Sequence, residues 1–118
     1  MALVVFGIPS CGTVKRARAW LEAQALPHTF HDFKKEGVPE ERLDAWIAAL
    51  GWPALVNRQG TTWRRLSPEA QAEVQDRDGA RALMLAYPSL IKRPVIERDG
   101  QVLGVGFAEA SLRTQLLG

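Results

Sequence analysis

Hydrophobic positions at the start of the chain change their spacing from one predicted element to the next. The run Leu3–Phe6 is short, continuous and β-branched in its middle, which predicts a strand buried on both faces. A stripe at helical spacing then predicts a helix that begins near Cys11–Thr13 and ends at Pro27; its apolar positions are Val14, Ala17 and Leu21. Polar and apolar residues alternate over His28–Phe33 and predict a second strand, so the chain opens as a β-α-β unit.

The middle of the chain predicts helices with no strand between them. Pro39–Glu41 is typical of a first helical turn, because proline and acidic residues favour the positive end of the helix dipole. A polar loop follows over Asn57–Thr62, and Ser67–Glu69 predicts the N-cap and first turn of another helix. Two stripes at helical spacing support this interpretation: Leu43, Trp46, Ile47 and Leu50, and then Ala80, Leu83, Met84 and Tyr87. These three helical segments predict a helical insertion over about residues 37–88.

The last third of the chain returns to strands. The segments Pro94–Glu97 and Gln101–Leu103 flank Asp99-Gly100, a dipeptide typical of a two-residue β-hairpin turn. A closing helix is predicted by the spacing of Ala108, Leu112 and Leu116. The element order β-α-β, helical insertion, β-β-α predicts one α/β domain over residues 1–118.

The composition is that of an ordinary globular chain. Of its 118 residues, 47% are hydrophobic and 24% are charged, which argues against intrinsic disorder. The net charge of +2 is too small to indicate direct DNA binding, and no apolar run is long enough to cross a membrane. Because the N-terminus resembles no export signal, we expect a cytoplasmic protein whose single cysteine stays reduced and forms no internal disulfide.

Cys11 is the first candidate for chemistry. It follows a buried strand and lies at the predicted start of a helix, where unpaired backbone N–H groups and the helix dipole favour an anion. Such surroundings lower a thiol pKa from about 8.5 to a range of about 3.5 to 7.5. Gly12 lets a ligand approach the backbone, and Thr13 offers a hydroxyl. The alternative is a small buried apolar cysteine, but the Pro-Ser-Cys-Gly-Thr turn favours a functional thiol.

Arg93-Pro94 is the second candidate. A proline directly before a hairpin strand predicts a fixed peptide bond, cis or trans, that holds the backbone opposite the helix start. Arg93 would then direct its guanidinium to an anion near Cys11; a solvated arginine at a strand edge is the alternative. Other cations that would rim an anion pocket are Arg58, Arg64, Arg65 and Lys92, whereas Lys15, Arg16 and Arg18 are assigned to a solvated helix face. The chain has no P-loop, no dinucleotide fingerprint and no zinc-ligand spacing, so we expect no metal.

Two motifs, taken together, resemble the arsenate-reductase-like (ArsC) family. The first is the thiol motif Ile8–Lys15, with the sequence IPSCGTVK, and the second is Ile91–Val95, with the sequence IKRPV. Three further segments resemble the Spx/YffB branch more narrowly: Asp32–Lys35, Gly60–Arg64 and Ala82–Leu85. The resemblance runs over essentially the whole chain. It implies a thioredoxin-like fold with a helical insertion, Cys11 as the nucleophile and glutathione as a co-substrate.

The chain departs from arsenate reductases around the thiol. Of the three arginines that the family places around its cysteine, Arg93 keeps one; the second falls at Asn57, with Arg58 beside it as a substitute. The third falls near Gly106, and a histidine just upstream of the family cysteine is Gly7 here. We expect a pocket with one secure arginine to hold arsenate poorly, because each charge-assisted contact contributes about 1.5–3 kcal/mol.

The resemblance and the residues together predict a glutathione-dependent thiol reductase in which Cys11 forms a mixed disulfide and Arg93 stabilises the thiolate. The expected glutathione-binding residues are Ser10, Gly12, Thr13, Asn57, Arg58, Lys92 and Pro94. The expected partner is glutathione or a glutaredoxin-like protein. The alternative is an Spx-like transcriptional regulator that binds RNA polymerase. Since Val14 occupies the second position of Cys-x-x-Cys, such a regulator would work without that redox switch.

Overall fold

A four-stranded sheet and eight α-helices make up the fold, which confirms the mixed α/β class. The computed structural model describes residues 1–118. In chain order the elements are β1 (Leu3–Gly7), α1 (Gly12–Ala23), β2 (Thr29–Asp32), α2 (Phe33–Glu36), α3 (Glu40–Leu50), α4 (Trp52–Leu55), α5 (Thr61–Arg65), α6 (Pro68–Ala72), α7 (Arg77–Ala86), a 3₁₀ helix (Pro88–Leu90), β3 (Val95–Arg98), β4 (Gln101–Val105) and α8 (Glu109–Leu117). The chain divides into two units, one formed by Met1–Glu36 with Arg93–Gly118 and the other by Gly37–Lys92. No helix combines the length and the apolar character needed to cross a bilayer.

The sheet belongs to the first unit and has the strand order β2-β1-β3-β4. β1 runs parallel to β2 and antiparallel to β3, while β3 and β4 form an antiparallel hairpin. Asp99 and Gly100 form the hairpin turn with φ values of 52° and 80°, which confirms the turn predicted from this dipeptide. Because Phe6 pairs with Val95, the end of β1 lies beside the beginning of β3.

One face of the sheet packs against α1 and α8. The buried cluster consists of Leu3, Val5, Trp20, Leu21, Ile96 and Leu112, and the partly buried residues around it are Leu26, Phe30, Leu103, Phe107 and Leu116. The apolar stripe predicted for α1 is confirmed, since Val14, Ala17 and Leu21 are fully buried. This burial holds the helix in place, because a helix of 12 residues is only marginally stable in isolation.

α1 ends at Ala23, whereas the sequence predicted that the helix would continue to Pro27. Ala25 adopts a left-handed φ of 57° and its N–H donates to the C=O of Glu22 at 3.0 Å. The N–H of Leu26 donates to the C=O of Leu21 at 2.9 Å. This pair of hydrogen bonds is a Schellman ending, which usually has glycine at the left-handed position. Alanine at that position gives no sequence signal, and the predicted helix was therefore too long.

β2 also ends earlier than predicted, at Asp32 instead of Phe33. Oδ1 of the buried Asp32 accepts the N–H of Lys34 at 2.8 Å, and Oε2 of Glu36 accepts the N–H of Asp32 at 3.1 Å. Side-chain acceptors of this kind favour a turn over a continuing strand. Phe33 is buried as the first residue of α2 and not as the last residue of the strand.

In the second unit, helices form at the three predicted segments, and the first two begin where the sequence predicted a first turn or an N-cap. α3 ends at Leu50 with Gly51, which has a φ of 83°, as its C-cap, and its buried residues are Leu43, Trp46 and Ile47. Oγ of Ser67 accepts the N–H of Ala70 at 3.1 Å and so caps α6. α7 begins after the N-cap Asp76, and its buried residues are Ala80, Leu83 and Met84.

An ion-pair network links α3 to α7. Asp44 accepts a hydrogen bond from Nε of Arg81 at 2.7 Å and from Arg77 at 2.9 Å, and Glu40 accepts one from Arg81 at 3.0 Å. The hydrogen bond from Arg81 holds the pKa of the Asp44 carboxyl below its usual value. The Asp44 side chain is 40% exposed, so the network adds little stability beyond the apolar contacts of the two helices.

The second unit differs from the prediction in three respects. The predicted three helical segments are five α-helices and one 3₁₀ helix, because α4 and α5 have four and five residues and are too short to display a stripe. The predicted loop Asn57–Thr62 ends at Gly60, since α5 begins with Thr61. Tyr87 was predicted to lie on the apolar stripe of α7, but its backbone leaves the helix with a φ of −130° and the residue is 48% exposed.

We expect Leu21→Ala to lower the free energy of unfolding by about 2–5 kcal/mol, because Leu21 is fully buried between α1 and the sheet. Urea unfolding followed by circular dichroism measures the change. Leu117→Ala is the matched control, since that leucine is 47% exposed and its truncation should change stability by less than about 0.5 kcal/mol. Equal effects of the two substitutions would contradict this description of the core.

Candidate active site

Cys11 and Arg93 meet because of the way in which β1 and β3 pair. Cys11 follows the end of β1, and Arg93 precedes the start of β3. Since the two strands are antiparallel with Phe6 opposite Val95, both residues lie at the same end of the sheet. The guanidinium of Arg93 donates a hydrogen bond to the sulfur of Cys11. The predicted proximity of the two residues is therefore present in the structure, and their catalytic roles stay predictions.

A tight turn carries the chain from β1 to α1 and places Cys11 at the N-cap of the helix. The N–H of Cys11 donates to the C=O of Ile8 at 3.1 Å, and its C=O accepts the N–H of Lys15 at 3.0 Å. The Cys11 backbone is extended, with φ −76° and ψ 124°, which is the conformation expected of an N-cap residue. The thiol is free and partly exposed, so a reagent in solution can reach it.

Two opposing effects set the pKa of the Cys11 thiol. Partial burial is the largest single effect, and it raises the pKa. The backbone N–H of Val14, the guanidinium of Arg93 and the backbone N–H of Thr13 interact with the sulfur and lower the pKa, and the charge of Arg93 lowers it further. Together the lowering effects outweigh burial, so the pKa lies below the usual value for a cysteine. At a given pH the site therefore holds a larger fraction of thiolate, the nucleophilic form, than an ordinary cysteine would.

The peptide bond between Arg93 and Pro94 is cis, one of the two forms that the sequence left open. Pro94 is buried, and its C=O accepts the N–H of Gly106 at 2.8 Å. Gly106 has a φ of 74°, and nothing lies within 4 Å of the place that a Cβ would occupy there. The position near which the family's third arginine falls is therefore open space beside Pro94.

The packing around Gly7 leaves no room for a histidine at this position upstream of Cys11. A Cβ at Gly7 would lie 2.8 Å from Cγ2 of Val14, which is closer than real side chains approach. β1 and α1 pack tightly at this point, because Val14 is fully buried. Any side chain at position 7 would force Val14 to move, so glycine is the residue that this packing requires.

The turn beside Cys11 presents open backbone and one unexpected cation. Ser10 and Gly12 are exposed, and Thr13 is partly exposed. Nη2 of Arg16 donates to Oγ1 of Thr13 at 3.2 Å, so the Arg16 side chain folds back over the first turn of α1. Its Nη1 lies 3.6 Å from the place that a Cβ on Gly12 would occupy. Arg16, which the sequence interpretation assigned to a solvated face, is exposed but also fixed beside the thiol turn; the three-residue spacing from Thr13 is its only sequence signal.

The remaining predicted glutathione contacts belong to the second unit. The Arg58 guanidinium lies 4.9 Å from the centre of the Trp63 ring and donates to the C=O of Val74 at 3.3 Å. Oδ1 of Asn57 accepts a backbone N–H within its own turn at 3.1 Å. The side chain of Lys92 is exposed. Arg58 is thus already engaged within its own unit, and the proposal that it substitutes for a family arginine stays a prediction.

The chain is similar to known proteins in both sequence and structure. The ArsC family profile matches residues 6–115. The solved structure of a YffB protein has 42% sequence identity and a TM-score of 0.89, and the match covers 98% of this chain and 99% of that protein. An arsenate reductase (ArsC) related protein from Brucella melitensis has 46% identity and a TM-score of 0.75, with 97% and 93% of the two chains covered. The global transcriptional regulator Spx of Streptococcus pneumoniae is 25% identical over 117 residues, which cover 97% of this chain and 85% of Spx. These similarities confirm the thioredoxin-like fold and the resemblance to the Spx/YffB branch.

We expect the rate of Cys11 alkylation to rise with pH through a midpoint below about 8.5, the pKa of a free thiol. Arg93→Ala should raise this midpoint, because the variant loses both the hydrogen bond and the charge that favour the thiolate. At neutral pH the variant then holds a smaller thiolate fraction and reacts more slowly. Iodoacetamide labelling followed by mass spectrometry over a pH series gives both midpoints.

Lys15→Ala is the matched control for this measurement. Lys15 carries the same charge as Arg93 and lies in the first turn of α1, but it does not contribute to the pKa of Cys11. Its removal should leave the midpoint close to that of the unchanged protein. A midpoint at or above about 8.5 in the unchanged protein, or equal shifts in the two variants, would refute the thiolate assignment.

Proposed function

The chain belongs to the ArsC family, and from this membership and the surroundings of Cys11 we propose that it is a glutathione-dependent thiol reductase. The observation that carries the proposal is the position of a partly exposed Cys11 thiol at the N-cap of α1, beside the guanidinium of Arg93. A thiolate that is partly exposed and stabilised by Arg93 is suited to attack a disulfide. Cys11 is the nucleophile in this proposal, and Arg93 stabilises its charged form.

The proposed reaction is thiol–disulfide exchange. The Cys11 thiolate attacks one sulfur of a disulfide substrate; the substrate S–S bond breaks, a new S–S bond forms at Cys11, and the departing thiolate takes up a proton. Because Cys11 is the only cysteine, a second molecule must break this mixed disulfide. The thiolate of one glutathione displaces the rest of the substrate as a thiol, and the thiolate of a second glutathione releases Cys11 as oxidised glutathione forms. Two glutathione molecules thus supply the two electrons that reduce the substrate.

The turn around Cys11 supplies groups that support glutathione binding in this proposal. Ser10, Gly12 and Thr13 offer hydroxyl groups and an accessible backbone, and Pro94 borders the site at the start of β3. Arg16 adds a guanidinium that a glutathione carboxylate can pair with, since it makes no ion pair within the protein. Asn57, Arg58 and Lys92 are proposed as further contacts from the family resemblance alone.

Arsenate is the less suitable substrate under this proposal. An arsenate ion presents several charged oxygens, and each one needs a donor when it leaves water. Among the three positions of the family arginines, Arg93 supplies a guanidinium beside Cys11, while Gly106 has no side chain. A disulfide carries no charge at its sulfurs and needs no such set of donors.

The second candidate is a transcriptional regulator that binds RNA polymerase. The similarity to Spx over nearly the whole chain favours it. Val14, at the second position of Cys-x-x-Cys, is fully buried against Gly7, so this position belongs to the core and carries no thiol. A regulator built on this chain would therefore bind its partner without a switch that depends on an internal disulfide.

Incubation of the reduced protein with oxidised glutathione should give one glutathione adduct per chain, because Cys11 is the only thiol. Intact-mass measurement detects the adduct, and Cys11→Ser should abolish it. Added reduced glutathione should then restore the original mass. If the protein stays unmodified, or if a disulfide-linked dimer accumulates in place of the adduct, the glutathione-coupled cycle is refuted.

Arg93→Ala should slow glutathione addition about ten- to a hundred-fold, the effect expected for one lost charge-assisted contact of about 1.5–3 kcal/mol. Arg93→Lys should recover part of the rate, since an ammonium keeps the charge but loses the planar fork. Lys15→Ala, the charge control, should react at the original rate.

The same variants separate the reductase from the regulator. RNA polymerase should not be retained by the immobilised protein if the reductase proposal is right. Retention that is unchanged by Cys11→Ser and Arg93→Ala, together with thiol reactivity that Arg93→Ala leaves intact, would support the regulator and contradict the reductase.

A further inference from the structure

An open cavity of about 430 Å³ lies within the second unit and shares no residue with the thiol site. Its lining consists of Thr62, Arg65, Leu66, Ser67, Ala70 and Tyr87. These residues come from α5, from the segment that joins α5 to α6, from α6, and from the position that follows α7. The volume falls within the range of cavities that hold small organic ligands.

Arg65 is the only charged residue that lines this cavity, and it makes no ion pair or side-chain hydrogen bond. Its neighbour Arg64 differs, because Nη1 of Arg64 donates to the C=O of Gln59 at 3.0 Å. No carboxylate lines the cavity to compensate the charge of Arg65. The donors of this guanidinium are not used within the protein and stay available to an anion.

The apolar part of the cavity lining is formed by Tyr87 and by two aliphatic residues. Tyr87 is 48% exposed although the helical stripe predicts it as a core residue, and it lines the cavity. Leu66 and Ala70 are partly buried and add an aliphatic wall. An aromatic ring placed against these groups would remove apolar surface of both partners from water.

We propose that this cavity binds a small aromatic carboxylate. The planar fork of Arg65 matches the two oxygens of a carboxylate, and one carboxylate balances the single charge of the cavity. The hydroxyl groups of Thr62 and Tyr87 can donate further hydrogen bonds to the same anion. The aromatic body of the ligand packs on Tyr87, Leu66 and Ala70.

The proposal is tested with benzoate as the probe, added to the full chain labelled with ¹⁵N. Saturable shifts of the amide signals of Thr62, Leu66, Ala70 and Tyr87 are expected, with a dissociation constant in the millimolar range for so small a ligand. Benzamide has the same shape without the charge and should bind about ten-fold more weakly. Absence of saturation, or equal affinity for benzoate and benzamide, would overturn the proposal.

Arg65→Gln and Arg64→Gln form a matched pair on the same helix. Arg65→Gln should weaken benzoate binding about ten-fold, whereas Arg64→Gln should leave it unchanged because that side chain does not line the cavity. Tyr87→Leu should also weaken binding, since it removes the ring and the hydroxyl but keeps an apolar side chain. Equal losses in the two arginine variants would indicate attraction to the general charge of α5 and would refute the site. Cys11→Ser should bind benzoate as the original protein does, so this test succeeds or fails independently of the reductase.

Discussion

The antiparallel pairing of β1 with β3 is the constraint on which the thiol site depends. It joins the first strand of the chain to a strand near its end, with Phe6 opposite Val95. Because paired antiparallel strands run in opposite directions, the turn after one and the approach to the other lie at the same end of the sheet. Cys11 occupies the first of these segments and Arg93 the second. Cys11 and Arg93 are far apart in the sequence, and no local interaction brings them together. The Arg93 guanidinium therefore reaches the Cys11 sulfur only when the sheet has formed.

Two opposing effects act on the pKa of the Cys11 thiol. Burial orders the sulfur next to its donors but raises the pKa of the thiol, whereas the N–H groups of Thr13 and Val14 and the side chain of Arg93 lower it. The lowering effects prevail while the sulfur stays partly exposed. A strongly depressed pKa would also make the sulfur a weaker nucleophile, because thiolate reactivity falls with basicity. A lowered pKa combined with partial exposure is consistent with the proposed exchange, in which the sulfur attacks a disulfide and is then released by a second thiol.

The sequence predicted the elements that have strong local signals and missed those that depend on single side-chain hydrogen bonds. The stripe of α1 and the Asp99-Gly100 turn were predicted correctly, since helical periodicity and a positive φ both restrict which residue types occur. The left-handed conformation of Ala25 cannot be recognised from its residue type, and helices of four or five residues are too short to show a periodic pattern. In the site, the family motifs indicated Cys11 and Arg93, but the fold of Arg16 onto Thr13 is a tertiary detail that spacing alone does not select.

Two glycines decide what the thiol site is suited to bind. At Gly7 the contact between β1 and α1 leaves no room for a side chain, so a general acid or base cannot stand there without repacking Val14. At Gly106 there is room, but no side chain to supply a charge. Arg93 is the cation whose hydrogen bond reaches the Cys11 sulfur. A site that directs a guanidinium at its own sulfur favours a sulfur anion, which is the species formed and released in the proposed thiol–disulfide exchange. Binding an oxyanion requires donors spread around a second, separate centre of charge, and the first unit does not provide them at these two positions.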